Sequence, residues 1–275
     1  MSSRLSIFFR VEGLFDPYLL CYLRRMTRRD RKKAVGALIF CSAVSLVALA
    51  QFSWTQSEPR DGAQRYYVAF LRPDPERKTL APDEADKLQA AHMANIHKMA
   101  DDGMLVSAGP FDDTPRTISG IFIFKVDSLE KAQSIAMKDP TVVAHRNTID
   151  VHAWDGPAGI GDEYRRLHQL DPKTPENMQI HPFCMLFRGD AWGRMHNREA
   201  VLADHRSYVG KLRAEGKLSA AGPVQGEDEL FGLVVFRAVS MDEAKELMGE
   251  DPAVRAGVLR VEYHQWWSSD HVLPW

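Results

Sequence analysis

Histidine is the one side chain whose ordinary charge change falls near neutral pH. A carboxylate that accepts one ring N–H fixes its tautomer and raises the basicity of the other nitrogen, preparing a general base. Two histidines of this 275-residue chain stand in matching surroundings. His92 opens HMANIHKMADDGMLVSAGP (92–110), and His205 opens HRSYVGKLRAEGKLSAAGP (205–223). Each is followed eleven residues later by a glycine, Gly103 or Gly216, and each run closes on Ala-Gly-Pro. An aspartate before proline comes 47 residues after the first histidine (Asp139) and 46 after the second (Asp251). A lone histidine on an apolar helix face is more often a core residue. Its recurrence in one register, with an aspartate at nearly the same separation, favours a site. The plainer reading of both aspartates is a helix-end turn before proline.

Placing those residues takes the same series of elements twice. In the first copy (65–155) Tyr66 to Leu71 is an apolar and aromatic run, predicted as a strand and closed by Arg72-Pro73. A helix from Pro82 to Asp102 puts Leu88, His92, Ile96 and Met99 on one face, and Gly103 ends it. Strands follow at Met104 to Ser107 and Ile118 to Val126. A second helix runs from Ser128 to Asp139, where the next proline disfavours helix, and Asn147 to Trp154 is the last strand. The second copy (178–268) repeats this with strands at 180–188, 231–237 and 258–267 and a helix from Arg198 to Glu215. Val201, His205, Val209 and Leu212 share that helix's face. Ser240 to Glu243 is a Ser-x-x-Glu capping box. Residues 156–177 have the Gly, Pro and charge content of a linker with a short helical middle. The order is βαββαβ twice, an α+β class.

Two further sets recur. His152 and Trp154, like His264 and Trp266, are spaced to share one strand face; they would form an aromatic wall beside a ligand, or simply a sheet seam. Arg72 and Arg188 sit at what look like matching strand ends, able to bind a carboxylate or to remain solvated. Other chemistries find less support. No serine or cysteine nucleophile has a recognisable setting, and neither a phosphate loop nor a Rossmann glycine pattern is present. His92 and His97 lie at i, i+5 and splay on a helix, so a metal site is not expected. Cys184, in the apolar run PFCMLF, reads as a buried strand residue.

Residues 1–50 hold nine Lys+Arg and three Asp+Glu, which leaves 26 basic and 34 acidic side chains, net −8, beyond them. An acidic body of this kind argues against nucleic acid as partner. Within the leader a basic run (Arg24 to Lys33) precedes the uncharged AVGALIFCSAVSLVALA (34–50), which ends small-x-small. That is the order of a secretory signal peptide, so export to the periplasm or medium is expected, with a mature start near Gln51. An uncleaved membrane anchor is the alternative, the apolar run being at the short edge of a span. Counted from Met26 the leader has ordinary signal-peptide length, which makes Met26 the alternative start.

The histidine on the first helix, Gly103 to Pro110 and Gly216 to Pro223, and the Asp-Pro after each second helix together resemble the YCII-related family. The likeness covers both copies and omits leader and linker. It implies a ferredoxin-like fold whose units pair sheet against sheet into an α+β barrel, which two fused copies could form within one chain as a pseudo-dimer. A single such sheet leaves one apolar face uncovered; Phe122 and Phe124, with Val234 and Phe236 in the repeat, are expected to supply it. The resemblance also implies a His–Asp active site, which by position is His92 with Asp139 and His205 with Asp251. Relatives of the barrel bind haem, but only a helix histidine speaks for it here, and no cofactor is expected. The expected ligand is a small organic molecule. The expected activity, if any, is proton abstraction of isomerase or lyase type, some relatives being similar to dehydrochlorinases. The competing expectation is a non-catalytic binding or scaffold module.

Overall fold

The computed structural model describes residues 62–226 and 229–274. The expected signal peptide or anchor, and the start at Met26, lie outside them. No helix among the described residues is long and apolar enough to cross a membrane. The first copy comprises β1 (Ala63–Pro73), α1 (Pro82–Asp101), β2 (Leu105–Pro110), β3 (Gly120–Phe124), α2 (Leu129–Ala136), α3 (Pro140–Val143) and β4 (Asn147–Pro157). After the connecting helix α4 (Asp162–Leu170) come β5 (Met178–Arg188), α5 (Arg198–Ala214), β6 (Leu218–Pro223), β7 (Leu230–Phe236), α6 (Met241–Gly249), α7 (Pro252–Arg255) and β8 (Leu259–Ser269). Each copy is a four-stranded sheet, in the orders β2-β3-β1-β4 and β6-β7-β5-β8. All pairings are antiparallel, giving two tandem ferredoxin-like units.

Local chemistry explains the element ends. Ser128 Oγ accepts from Lys131 N and Ser240 Oγ from Glu243 N, each 3.1 Å, capping α2 and α6. Gly103 and Gly216 follow α1 and α5 at φ +71 and +70, a conformation that β-carbons disfavour. The second helix does not run on to Asp139 as expected. It stops at Ala136, and Asp139 caps the new short helix α3, its side chain accepting from Thr141 N.

Apolar side chains form three layers. Tyr67, Ala69, Leu71, Met99, Phe122 and Phe124 pack between the first sheet and its helices. Cys184, Leu186, Leu202, Leu212, Val234 and Phe236 do the same in the second copy, where burial pushes the Cys184 thiol up. The third layer joins the copies: Val68, Phe70, Ile121 and Ile123 meet Phe183, Met185, Leu233 and Val235. The pseudo-dimer packs sheet to sheet, but the expected aromatics do not supply the contact. Phe122, Phe124, Val234 and Phe236 face the helices, and their neighbours one residue earlier fill the barrel. Alternation sends successive side chains to opposite faces, and here Ile121, Ile123, Leu233 and Val235 point inward.

The seam is closed by the Ala-Gly-Pro segments. Phe111 bridges to Trp266 and Trp154 to Val224, so the ends of β2 and β6 run against β8 and β4 of the other copy. Asp112 N donates to Gln265 O (2.9 Å), and Gln225 N to Ala153 O (2.8 Å). A β-carbon on Gly109 would lie 1.9 Å from Trp267 O, and one on Gly222 1.8 Å from Asp155 O. Both glycines are required because a strand of the other copy passes directly over them.

Candidate functional site

His92 projects from mid-α1 toward the end of α2. Its Nδ1 lies 2.8 and 3.0 Å from the two carboxylate oxygens of Asp139. Asp139 is fully buried and gathers further donors: Asn95 Nδ2 at 3.1 Å, Thr141 N at 3.0 Å and Thr141 Oγ1 at 2.6 Å. Behind Thr141 the bonds continue in one direction. Ser119 Oγ donates to Asn147 Oδ1 (2.8 Å), and Asn147 Nδ2 donates to Thr141 Oγ1 (3.0 Å). Burial by itself would raise the Asp139 pKa, but the bonds from His92 and Thr141 outweigh it and hold the carboxyl below its ordinary value. It is a fixed carboxylate at neutral pH. His92 Nδ1 therefore carries the proton, and Nε2 is left as the basic nitrogen.

His92 lines a cleft of about 1280 Å³. The side chain is 16% exposed, and no described residue bonds Nε2. One wall is α1, through Leu88, Met93 and Ile96. The floor is β2 and part of β3, and Tyr164 and His168 of α4 close the far end. Those two rings stack at 4.1 Å.

The second copy keeps the pair but not its surroundings. His205 Nδ1 lies 2.6 Å from Asp251 Oδ2, and Asp251 Oδ1 accepts from Ala253 N at 2.8 Å. Where the first copy has Asn95, Thr141, Asn147 and Ser119, the second has Tyr208, Ala253, Leu259 and Phe231. Tyr208 turns its hydroxyl to Leu247 O (2.8 Å) rather than to the aspartate. The Phe231 ring packs on His205 (6.0 Å) and on Trp192 (5.5 Å), and the guanidinium groups of Arg188 and Arg198 both stack on Trp192 at 4.8 Å. His205 keeps half the exposure of His92, at 8%. Both dyads are intact, and the first sits in the more polar and more exposed setting.

The remaining candidates fall elsewhere. Trp154 and Trp266 are buried in the barrel layer and do not line the cleft. Trp154 Nε1 donates across the seam to Gly222 O at 3.1 Å, so these tryptophans join the copies instead of walling a ligand. His264, expected as a ligand contact, bonds Asp113 of the first copy through Nδ1 at 2.7 Å. His152 Nε2 lies 2.7 Å from Asp150 Oδ2 and draws that carboxyl's pKa down. Arg72 and Arg188 are not equivalent. Arg72 pairs in register with Thr148, Arg188 with Leu259, and Leu259 matches Asn147. Arg188 thus takes the place of Pro73 and points to the helix side, where it stacks on Trp192. A one-residue slip in aligning β1 with β5 produced the false match.

Sequence reasoning missed Asn95, Thr141, Asn147 and Ser119. Asn95 was within reach, being i+3 from His92 on one helix face, and Thr141 follows the Asp-Pro step. Asp113 had no local signal, since its partner is 151 residues away. Among the described residues no three His, Cys, Asp or Glu side chains gather as a metal site needs.

The fold is similar to that of a chlorite dismutase from Candidatus Nitrospira defluvii, at 10% identity over 77% of this chain and 92% of that one, TM-score 0.46. It is also similar to a heme-binding protein from Thermus thermophilus, at 14% identity over 75% of this chain and 91% of that one, TM-score 0.44. No curated protein matches the chain in sequence. The profile of the YCII-related domain matches residues 65–154 and 183–267, one match for each βαββαβ unit. The chain belongs to the YCII-related domain family and carries that domain twice.

Proposed function

We propose that the protein binds a small organic molecule in the cleft beside His92 and that the His92–Asp139 pair acts there as a general base. The observation that carries this reading is that His92 lines the cleft with Nδ1 bonded to Asp139, which four donor groups hold as a carboxylate. His92 Nε2 takes a proton from a substrate carbon whose neighbour accepts the electron pair, and Asp139 stabilises the resulting imidazolium. Returning the proton to a different atom completes an isomerisation; losing a leaving group instead completes an elimination. The His205–Asp251 pair is structural in this reading, tying α5 to α7 beneath the Phe231–Trp192 stack. The leader's basic and apolar runs further support export, which N-terminal sequencing of the mature protein tests: a start near Gln51 is expected, and an intact leader found only in membranes overturns it.

The site itself is tested by following the imidazole ¹⁵N signals during titration with a mixture of small carboxylic acids, ketones and phenols. Fragments are expected to shift the His92 signals and leave those of His205 in place. Shifts confined to His205, or no shift at His92 with any fragment, would overturn the assignment. Binding without hydrogen–deuterium exchange of any bound fragment's acidic C–H would leave a binding module rather than an enzyme.

A further inference from the structure

The cleft carries a charge that the rest of the protein does not. Beyond residue 50 the chain is acidic, yet Arg77, Arg116, Arg146 and Arg165 line the cleft together with His92. Two carboxylates also line it, Asp101 and Glu176. Glu176 is already engaged by the Tyr164 hydroxyl at 2.7 Å and by His168 at 3.6 Å. Arg77 and Arg116 have no ion-pair or side-chain hydrogen-bond partner among the described residues. Arg146 donates to the carbonyl of Lys78, which fastens the loop bearing Arg77 beside it. Arg146 directly precedes Asn147, and Arg116 lies three residues before Ser119. The Ser119–Asn147 bond of 2.8 Å therefore brings both arginines to the relay that ends at Asp139.

The repeat supplies a control. The two copies share one fold, so a residue needed only for folding or solubility would have reason to recur. Counting back from the third strand, Arg116 stands two residues before Ile118 and is answered by Asp228, two before Leu230. Arg146 is answered by Val258 and His97 by Gly210. Two of the cationic positions, those of Arg116 and Arg146, are lost in the same copy that has lost the polar relay. We propose that the ligand of the His92 cleft is an organic carboxylate, its charge held by Arg77, Arg116 and Arg146. Its apolar body lies along Leu88, Met93, Ile96 and Leu105. The proposal rests on the cleft being the binding site and adds the class of ligand. Guanidinium groups bind carboxylates through paired hydrogen bonds, and they also stabilise the negative charge that builds up as a proton leaves the adjoining carbon.

The test is calorimetric titration of the full chain at low ionic strength with benzoate, phenylacetate and 4-phenylbutanoate, each against its amide. At least one acid is expected to bind about tenfold or more tightly than its amide, the order of a charge-assisted contact. Arg77→Gln with Arg116→Gln should bring the acid to the amide's affinity while leaving the amide's unchanged. Equal binding of acid and amide, no binding of either, or a preference that survives the double substitution would overturn the proposal. The His92 ring signals separate this inference from the one it rests on. An acid that binds through the arginines without moving them sustains the ligand class and overturns His92 as the base. An amide that moves them as fully as its acid keeps the site and overturns the ligand class.

Discussion

Asp139 is the residue on which the site depends. It is a buried charge and persists because four donor groups from three residues satisfy it. Replacing it by alanine leaves His92 and Thr141 without an acceptor, and a loss of roughly 3–5 kcal/mol is expected by chemical denaturation. Thr141→Ala removes the Oγ1 bond only and should cost about 1–2 kcal/mol. The pH dependence follows from the direction of the shift. The carboxyl's pKa is lower in the folded state than in the unfolded chain, so its stabilisation is complete above the ordinary aspartate value of about 3.9 and is lost as pH falls through the folded value. The carboxylate's own contribution to the stability difference between the wild type and Asp139→Asn should therefore shrink as pH falls below about 4. A difference that widens in acid would mean that the carboxyl is raised, not lowered.

At the scale of elements, the Ala-Gly-Pro segments join the copies. Gly109→Ala places a β-carbon 1.9 Å from Trp267 O, and Gly222→Ala places one 1.8 Å from Asp155 O. Backbone atoms cannot yield as a flexible side chain would, so each change forces the seam apart. A loss of about 2–4 kcal/mol is expected for either, read as a lowered thermal midpoint. Alanine at Gly249, where an added β-carbon meets nothing within 4 Å, should be nearly neutral in the same measurement. Alternation along β3 and β7 sets what each face does. Phe122 and Phe124 cover the helices while Ile121 and Ile123 enter the barrel, so a single-residue register decides which layer a side chain joins.

Taken whole, the described residues form one compact unit in which neither sheet has a free inner face. The barrel layer belongs to both copies, and damage to it should not stay in one. Ile123→Asp buries an unpaired charge between the sheets. It is expected to lower amide protection in β5 and β7 of the second copy as well as in β1 and β3 of the first. Protection lost in the first copy alone would show that the halves fold independently. His264–Asp113 and Arg65–Asp155 add polar contacts at the seam, and Gln225 of the second copy also donates to Asp155 at 2.6 Å.

The duplication, the βαββαβ order and the inward register of His92 and His205 could be read directly from the chain, because each rests on local periodicity or on a pattern written twice. Pairing each histidine with its aspartate followed from the family resemblance, carried onto positions whose separation the repeat preserved. What the sequence could not show was the difference between the two sites. Ser119 against Phe231, or Thr141 against Ala253, looks like ordinary divergence until the fold brings those positions behind one carboxylate. The match of Arg72 with Arg188 failed because strand register depends on the partner strand, and no local pattern specifies it. The tryptophans and the Ala-Gly-Pro glycines were visible as repeats, but their task was decided only when β4 and β8 crossed the opposite copy at a distance that excludes a β-carbon. Local pattern determined the elements; contacts between residues on different elements determined which of two similar dyads is backed by a polar relay.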